Sequence, residues 1–259
     1  MLGYDYKYLK REVLRLTGID LNCYKEAQMK RRIDTLIAKR GITGYDQYVL
    51  GLGSNRELFE EFVNYITINV SEFYRDAEQW KVMEQKAIPE MVERFGQRLR
   101  IWSAACSTGD EPYSLVMALS RHIPLNNIRI YATDLDKQVI AKAKVGLYAE
   151  KSIASVPADL KRRYFKQIGS SYQIANEIKA CVEFREHNLL KDAYPVDCNM
   201  IVCRNVLIYF TEEAKNLVYR KFYNSLVRGG LFFSGSSEQI INYRDIGYIR
   251  KNAVFYQKP

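Results

Sequence analysis

Histidine is almost missing from this sequence of 259 residues, with only His122 and His187 present. The five cysteines, Cys23, Cys106, Cys181, Cys198 and Cys203, show no CxxC spacing. So few imidazoles and no paired thiols leave no basis for a zinc site, and no metal ligand is assigned. An odd set of unpaired cysteines fits free thiols in a reducing cytosol. No run of about 18 apolar residues occurs, so no membrane span is expected. Met1–Arg11 alternates Tyr, Asp and Lys without the apolar core of a secretory leader. Internal repeats and low-complexity stretches are also lacking. The expectation is a cytoplasmic protein that does not insert into a membrane, with a monomer as the default state.

What is present is ordinary for a packed protein: 47% apolar and 27% charged residues. The length suits one large domain, or a mid-sized domain with a small one. The net charge of +9 favours an acidic partner, or marks nothing more than a soluble basic protein.

The first part reads as helices. Tyr6, Leu9, Val13 and Leu16 recur at helical spacing before Gly18, and Met29, Ile33, Leu36 and Ile37 before Gly41. Tyr45, Tyr48, Val49 and Leu52 suggest a third helix. Ser54 and Glu57 have the spacing of a capping box opening a fourth, with Leu58, Phe62 and Ile66 inside. Residues 1–68 are therefore expected to form a small all-helical domain, followed by a linker over 69–98.

From 99 to 259 strands alternate with helices. Leu99–Ala105, Ile128–Ala132, Met200–Cys203 and Leu231–Ser234 read as strands. Helices are expected after Pro112, over Lys137–Lys144, and from Thr211 through Val227, the last closed by Gly229 and Gly230. This alternation predicts an α/β fold with a parallel, doubly wound sheet. Tyr248–Arg250 and Val254–Tyr256 suggest an antiparallel hairpin at its edge. Residues 146–182 break the pattern and read as an inserted antiparallel β-subdomain. There a basic helix, Ala158–Phe165, leads to a hairpin of Tyr172–Ile174 and Ile178–Phe184.

Ligands of such sheets sit beyond the carboxyl ends of the strands, here Ala104–Glu111, Asp134–Asp136 and Arg204–Asn205. Asp134 suits ribose hydroxyls, or simply caps the next helix. The loop after the first strand holds a single glycine, Gly109, whereas a dinucleotide loop needs several. Asp110 and Glu111 would repel phosphate and suit a cation, which argues against NAD or ATP.

Five segments together resemble the CheR family, the chemotaxis-receptor glutamate methyltransferases. They are Ile66-Thr-Ile-Asn-Val-Ser-Glu-Phe-Tyr-Arg75, Ile101-Trp-Ser-Ala-Ala-Cys-Ser-Thr-Gly-Asp-Glu-Pro-Tyr-Ser114, Ala132-Thr-Asp-Leu-Asp136, His187-Asn-Leu-Leu190 and Cys203-Arg-Asn-Val-Leu-Ile-Tyr-Phe210. They occur in the family's order and span nearly the whole chain. The resemblance implies a Rossmann-like domain that binds S-adenosylmethionine and releases S-adenosylhomocysteine. It implies cofactor contacts at Asn69, Ser71, Arg75, Glu111, Asp134, Asn188, Leu189, Arg204 and Asn205. Position 71 is often Thr in the family and position 74 often Phe, so Ser71 keeps the hydroxyl and Tyr74 adds a phenol. Asn188 as a turn residue and Leu189 as plain core remain open. The implied reaction esterifies glutamate side chains in the cytoplasmic helical domain of chemotaxis receptors.

A glutamate with a pKa near 4.3 is already ionised at neutral pH and needs no general base. Charge disappears on the way to the transition state, so pairing the acceptor with a cation opposes the reaction. Such a pair at about 4 Å is worth roughly 4 kcal/mol at an effective dielectric near 20. Arg75 is therefore expected to hold the cofactor's carboxylate, and the phenol of Tyr209 to orient the acceptor. These two are the candidate catalytic residues. Lys25, Arg32 and Lys39 are seven residues apart and form a stripe drifting about 20° per heptad, a docking face for acidic receptor helices or merely a solvated surface. Residues 1–44 hold 10 Lys+Arg against 5 Asp+Glu. A nucleic-acid methyltransferase is disfavoured by Cys203-Arg-Asn-Val in place of an Asp/Asn-Pro-Pro-Tyr motif. A non-catalytic cofactor-binding module is the other alternative.

Overall fold

A computed structural model describes residues 5–259; the beginning of the Met1–Arg11 stretch read above for a leader lies outside the described residues. The chain forms two compact units. One comprises the residues up to Asn69 together with Leu207–Leu217, the other Val70–Val206 and Val218–Pro259.

The first unit carries α1 (Tyr6–Thr17), α2 (Glu26–Lys39), α3 (Tyr45–Ser54) and α4 (Arg56–Thr67). Asp5 caps α1 by accepting from the Tyr8 amide, and Gly18 ends it in the left-handed conformation at φ 72°. Leu9, Val13, Ile33, Leu36, Tyr48 and Phe62 are buried, so the apolar faces anticipated from spacing do form the core. The expected capping box does not form. Asn55, one residue later, accepts from the Leu58 amide at 3.1 Å, while Ser54 Oγ turns back to Leu50 O at 2.9 Å. Because α3 and α4 nearly abut, Ser54 finishes one helix and Asn55 starts the next. The 207–217 segment joins this unit by strand-like contacts. Lys25 N donates to Tyr209 O, Thr211 N donates to Cys23 O, and the rings of Tyr24 and Phe210 meet edge-on at 5.0 Å.

In the second unit the expected linker segment, from Val70 onward, is more than a linker. It contains α5 (Ala77–Val82), a π-helical turn (Met83–Ala87) and α6 (Ile88–Phe95), and buries Trp80, Met83, Ile88 and Met91. Then follow β1 (Arg100–Ala104), α7 (Asp110–Leu119), β2 (Arg129–Asp134) and α8 (Lys137–Val145). The insert contains β3 (Leu147–Ala149), α9 (Ala158–Tyr164), β4 (Phe165–Ile168) and β5 (Ser171–Ile174), and α10 (Asn176–Lys179) follows it. The chain closes with β6 (Val182–Glu186), β7 (Cys198–Cys203), α11 (Glu212–Ser225), β8 (Leu226–Ser234), α12 (Tyr243–Ile246), β9 (Ile249–Arg250) and β10 (Phe255–Gln257). The main sheet has the order β6-β2-β1-β7-β8-β10-β9. Its first five strands are parallel, and β10 and β9 form the antiparallel edge expected of the tail. This is the doubly wound Rossmann-like arrangement, in which β7 is buried along its whole length.

Two expectations fail here. The insert's hairpin is not Tyr172–Ile174 with Ile178–Phe184: β5 pairs with β4 and β3 in a separate three-stranded antiparallel sheet, and β6 joins β2 in the main sheet. Gly169, at φ 58°, makes the hairpin turn, a signal that the β-rich run after it obscured. Phe165 accordingly begins β4 rather than ending a helix. Nor does α11 run to Gly229–Gly230; it ends at Ser225, and β8 starts at once. The glycines lie in β8 beside a register shift between Cys198 and Met200. No described helix is long and apolar enough to cross a membrane.

The two cap assignments are separable by urea unfolding. Asn55→Ala is expected to cost about 1 kcal/mol and Ser54→Ala only a few tenths. The opposite order would restore the capping box.

Candidate active site

The carboxyl ends of β1, β2, β7 and β8 meet in the second unit, and three strained segments converge there. Tyr74, Asp76, Ala105, Ser107 and Asn205 all adopt positive φ, between 49° and 62°. For residues other than glycine this costs on the order of 1–2 kcal/mol each, and such strain gathers where function requires a shape. Gly109, at φ 89°, has no substitute: a Cβ would stand 2.9 Å from Ala143 Cβ and 3.0 Å from Tyr113 Cε2.

Asp134 accepts from the Ser107 amide at 2.8 Å and from the Asp136 amide at 3.0 Å, tying the loop after β1 to the loop after β2. The helix cap is supplied by Asp136, which accepts from the Gln138 amide. Burial pushes the Asp134 carboxyl up to about 6, against the pull of these amides. Glu111, in the first turn of α7, accepts from Ser103 Oγ at 2.8 Å. Desolvation by the surrounding protein raises it to about 7; Glu238 pushes the same way, while Arg204, Ser103 and Arg75 oppose. Asp110 is also buried and raised by burial, and the hydroxyls of Thr108 and Ser71 bond to it. Ser71 is thereby fixed at the start of α7.

Arg75 Nη1 donates to Val70 O, and Arg75's own carbonyl accepts from Trp80 Nε1 and from Arg204 Nη2. Arg204, its side chain only 3% exposed, also pairs with Asp76 at 2.8 Å and lies over the Phe233 ring. Its guanidinium thus secures the 75–76 backbone. Asn188 spends its side chain on a local turn, Oδ1 accepting from the Leu190 amide, and Leu189 is buried with its carbonyl bonded to Tyr194 Oη.

The remaining candidates belong to the first unit. Asn69 Nδ2 donates to Thr67 Oγ1 at 2.9 Å. Tyr209 is half-buried at the end of a short helical turn, Leu207–Tyr209. The basic stripe on α2 is not continuous. Lys25 and Lys39 are exposed, but Arg32 bonds to Tyr65 O and packs over the Tyr65 ring at 4.7 Å. A seven-residue period cannot show that an aromatic on a neighbouring helix captures the middle member.

Sequence reading passed over Ser103, Asp76 and Glu238. Glu238 accepts from the amides of Asn205 (2.5 Å), Val206 (2.7 Å) and Gly235 (3.1 Å). It lies in a polar run after β8 whose only sequence signal was Gly-Ser-Ser-Glu following a strand.

The carboxylates of Asp76, Asp110, Glu111, Asp134 and Glu238 outnumber the guanidiniums of Arg75 and Arg204. Ser107 Oγ, Arg204 Nε and Asn205 Oδ1 are buried without a hydrogen-bond partner. An acidic edge with unsatisfied donors and acceptors fits a cationic, hydroxyl-bearing ligand and opposes a phosphate-bearing one. S-adenosylmethionine, with its sulfonium, ammonium and ribose, meets that requirement.

Comparison with known proteins agrees. The CheR methyltransferase SAM-binding domain matches residues 69–253, and the CheR methyltransferase all-alpha domain matches residues 4–67. A chemotaxis protein methyltransferase of Listeria innocua is 43% identical over 98% of this chain and 97% of its own length. That of Listeria monocytogenes is 42% identical over the same shares, and chemotaxis protein methyltransferase 1 of Pseudomonas aeruginosa is 34% identical over 93% and 92%. The chain belongs to the CheR methyltransferase family, and its cofactor is S-adenosylmethionine.

Proposed function

We propose that this enzyme methylates glutamate γ-carboxylates in the cytoplasmic helical domain of chemotaxis receptors, forming methyl esters. The observation that carries the reading is an acidic strand edge whose neighbouring imidazole, His187, is already engaged. His187 lies edge-on to the rings of Trp102 and Tyr194, with Nε2 3.1 Å from Ala193 O. An amine, hydroxyl or thiol acceptor would need a base to shed its proton, whereas a carboxylate is ionised already. The relatives are named chemotaxis protein methyltransferases, which supports a protein of the chemotaxis system as the substrate.

The bound cofactor supplies an electrophilic methyl on a sulfonium. Glu111 is the counter-ion for that cationic ligand, and Asp134 accepts from its hydroxyls. Arg75, carried on a segment braced by Arg204, holds its carboxylate. Ser71, Asn69, Asn188, Leu189, Arg204 and Asn205 complete the contacts, and Tyr209 orients the acceptor. Lys25 and Lys39 offer positive charge to an acidic receptor helix. No step requires nucleic acid, and the enzyme acts as a cytoplasmic monomer.

Incubation with tritiated S-adenosylmethionine and either receptor fragments or RNA tests the acceptor. Base-labile label on the receptor is expected; stable label on RNA, or none on either, would refute the proposal. Lys25→Glu with Lys39→Glu should reduce receptor labelling severalfold and blunt its salt dependence.

The roles of Arg75 and Tyr209 separate in calorimetry and turnover. Arg75→Ala should weaken S-adenosylhomocysteine binding by about tenfold or more, while Tyr209→Phe lowers turnover with near-normal binding. Normal binding by Arg75→Ala would remove its assignment.

Burial also makes binding depend on pH. In the free protein Glu111, raised to about 7, is protonated below that value, and a cationic ligand favours its ionised form. Affinity should therefore rise with pH up to about 7, by at most about tenfold per pH unit for this one group. For the ligand-free fold the sign is opposite. The contribution of Glu111 to stability is fully present below its unfolded pKa and is lost as pH rises through about 7. Glu111→Gln should flatten both profiles, and an unaltered binding profile would exclude it as the counter-ion.

A further inference from the structure

We infer that Glu238 is a positioning residue of the cofactor pocket, its carboxylate gripping the amides of Asn205, Val206 and Gly235 and so fixing the loop after β7. The inference rests on the carboxyl edge being the cofactor pocket.

The geometry follows from the sheet. β7 and β8 are parallel neighbours with Cys203 opposite Ser234, so their following loops emerge side by side. Glu238 lies four residues beyond Ser234, in a turn closed by its own amide donating to Gly235 O at 3.0 Å. From there its carboxylate reaches across to the β7 loop. Oε1 accepts from the Val206 amide, and Oε2 accepts from those of Asn205 and Gly235. The approach is close enough to need a glycine: a Cβ at Gly235 would stand 2.5 Å from Glu238 Oε2 and 2.9 Å from Asn205 N.

The residue gripped is one that needs holding. Asn205 has φ 61°, a conformation that side-chain-bearing residues avoid, and its Oδ1 is buried with no partner. Its predecessor Arg204 is anchored to Asp76 and Arg75 O, so the two residues are held by carboxylates from different loops. Glu238 is only 5% exposed. An ionised side chain buried in an already acidic pocket is costly, and closing a turn would not require one. Three backbone amides pointing at one carboxylate do account for it.

The charge itself gives a signature that a purely structural role lacks. The groups facing Glu111 are Ser103 of β1, Arg75 before α5, Arg204 after β7, Glu238 after β8, and the thiols Cys106 and Cys203. Glu238 is the one that adds a negative charge from the β8 loop.

S-adenosylmethionine binding by the full chain, titrated across pH for wild type, Glu238→Gln and Glu238→Asp, tests this, with circular dichroism reporting the folded fraction. Glu238→Gln should bind on the order of tenfold more weakly, with the midpoint of the pH dependence moved to lower pH. Glu238→Asp keeps the charge but not the reach, so affinity should fall while the midpoint stays near that of wild type. Unchanged affinity in Glu238→Gln, or a loss that only tracks the folded fraction with a fixed midpoint, would overturn the inference. Wild type failing to bind would instead overturn the pocket assignment on which it rests.

Discussion

The active edge depends on carboxylates bonded to the backbone amides of loops other than their own. Asp134, at the end of β2, takes the Ser107 amide from the loop after β1. Glu238, beyond β8, takes the Asn205 and Val206 amides from the loop after β7. Parallel neighbouring strands deliver their loops to one edge, and each such bond fixes one loop relative to the next. The left-handed residues Ala105, Ser107 and Asn205 persist because these charged acceptors, together with Arg204, over-determine their positions.

The same arrangement leaves the edge acidic. Each carboxylate is partly desolvated, and Glu111 and Asp134 titrate well above ordinary acids. A protein that pays this electrostatic cost without a ligand recovers it when a cation binds, because desolvation that disfavours lone charges strengthens their attraction to an opposite one. Arg204, held by Asp76 and the Arg75 carbonyl, offsets part of that cost at Glu111. Arg75, which donates to Val70 O, is the less confined guanidinium of the two.

The helices of the first unit show how far local pattern reaches. Leu9, Val13, Ile33 and Phe62 lie in its core as their spacing requires, since an amphipathic face has one way to be buried. Arg32 shows the limit: its period placed it on a solvated stripe, but the Tyr65 ring and carbonyl on another helix capture it. In the same way Ser54 had the right spacing to Glu57 for a cap, yet the junction of two abutting helices gave that role to Asn55.

The sequence by itself determined the helices of the first part, the alternation that makes a parallel sheet, the family and the cofactor. These depend on periodicity and on motifs contiguous in the chain. It also placed Asp134 at the end of a strand and Glu111 at the start of a helix, because element ends are local features. Only the tertiary structure decided which strands share a sheet: β6 left the expected hairpin to pair with β2, and Gly169 turned β4 onto β5. It alone brought Glu238 to Asn205 across 33 residues of sequence, and Arg204 to Asp76 across 128. Hydrogen bonds between loops depend on strand order, and strand order is a property of the whole fold that no short stretch of residues encodes.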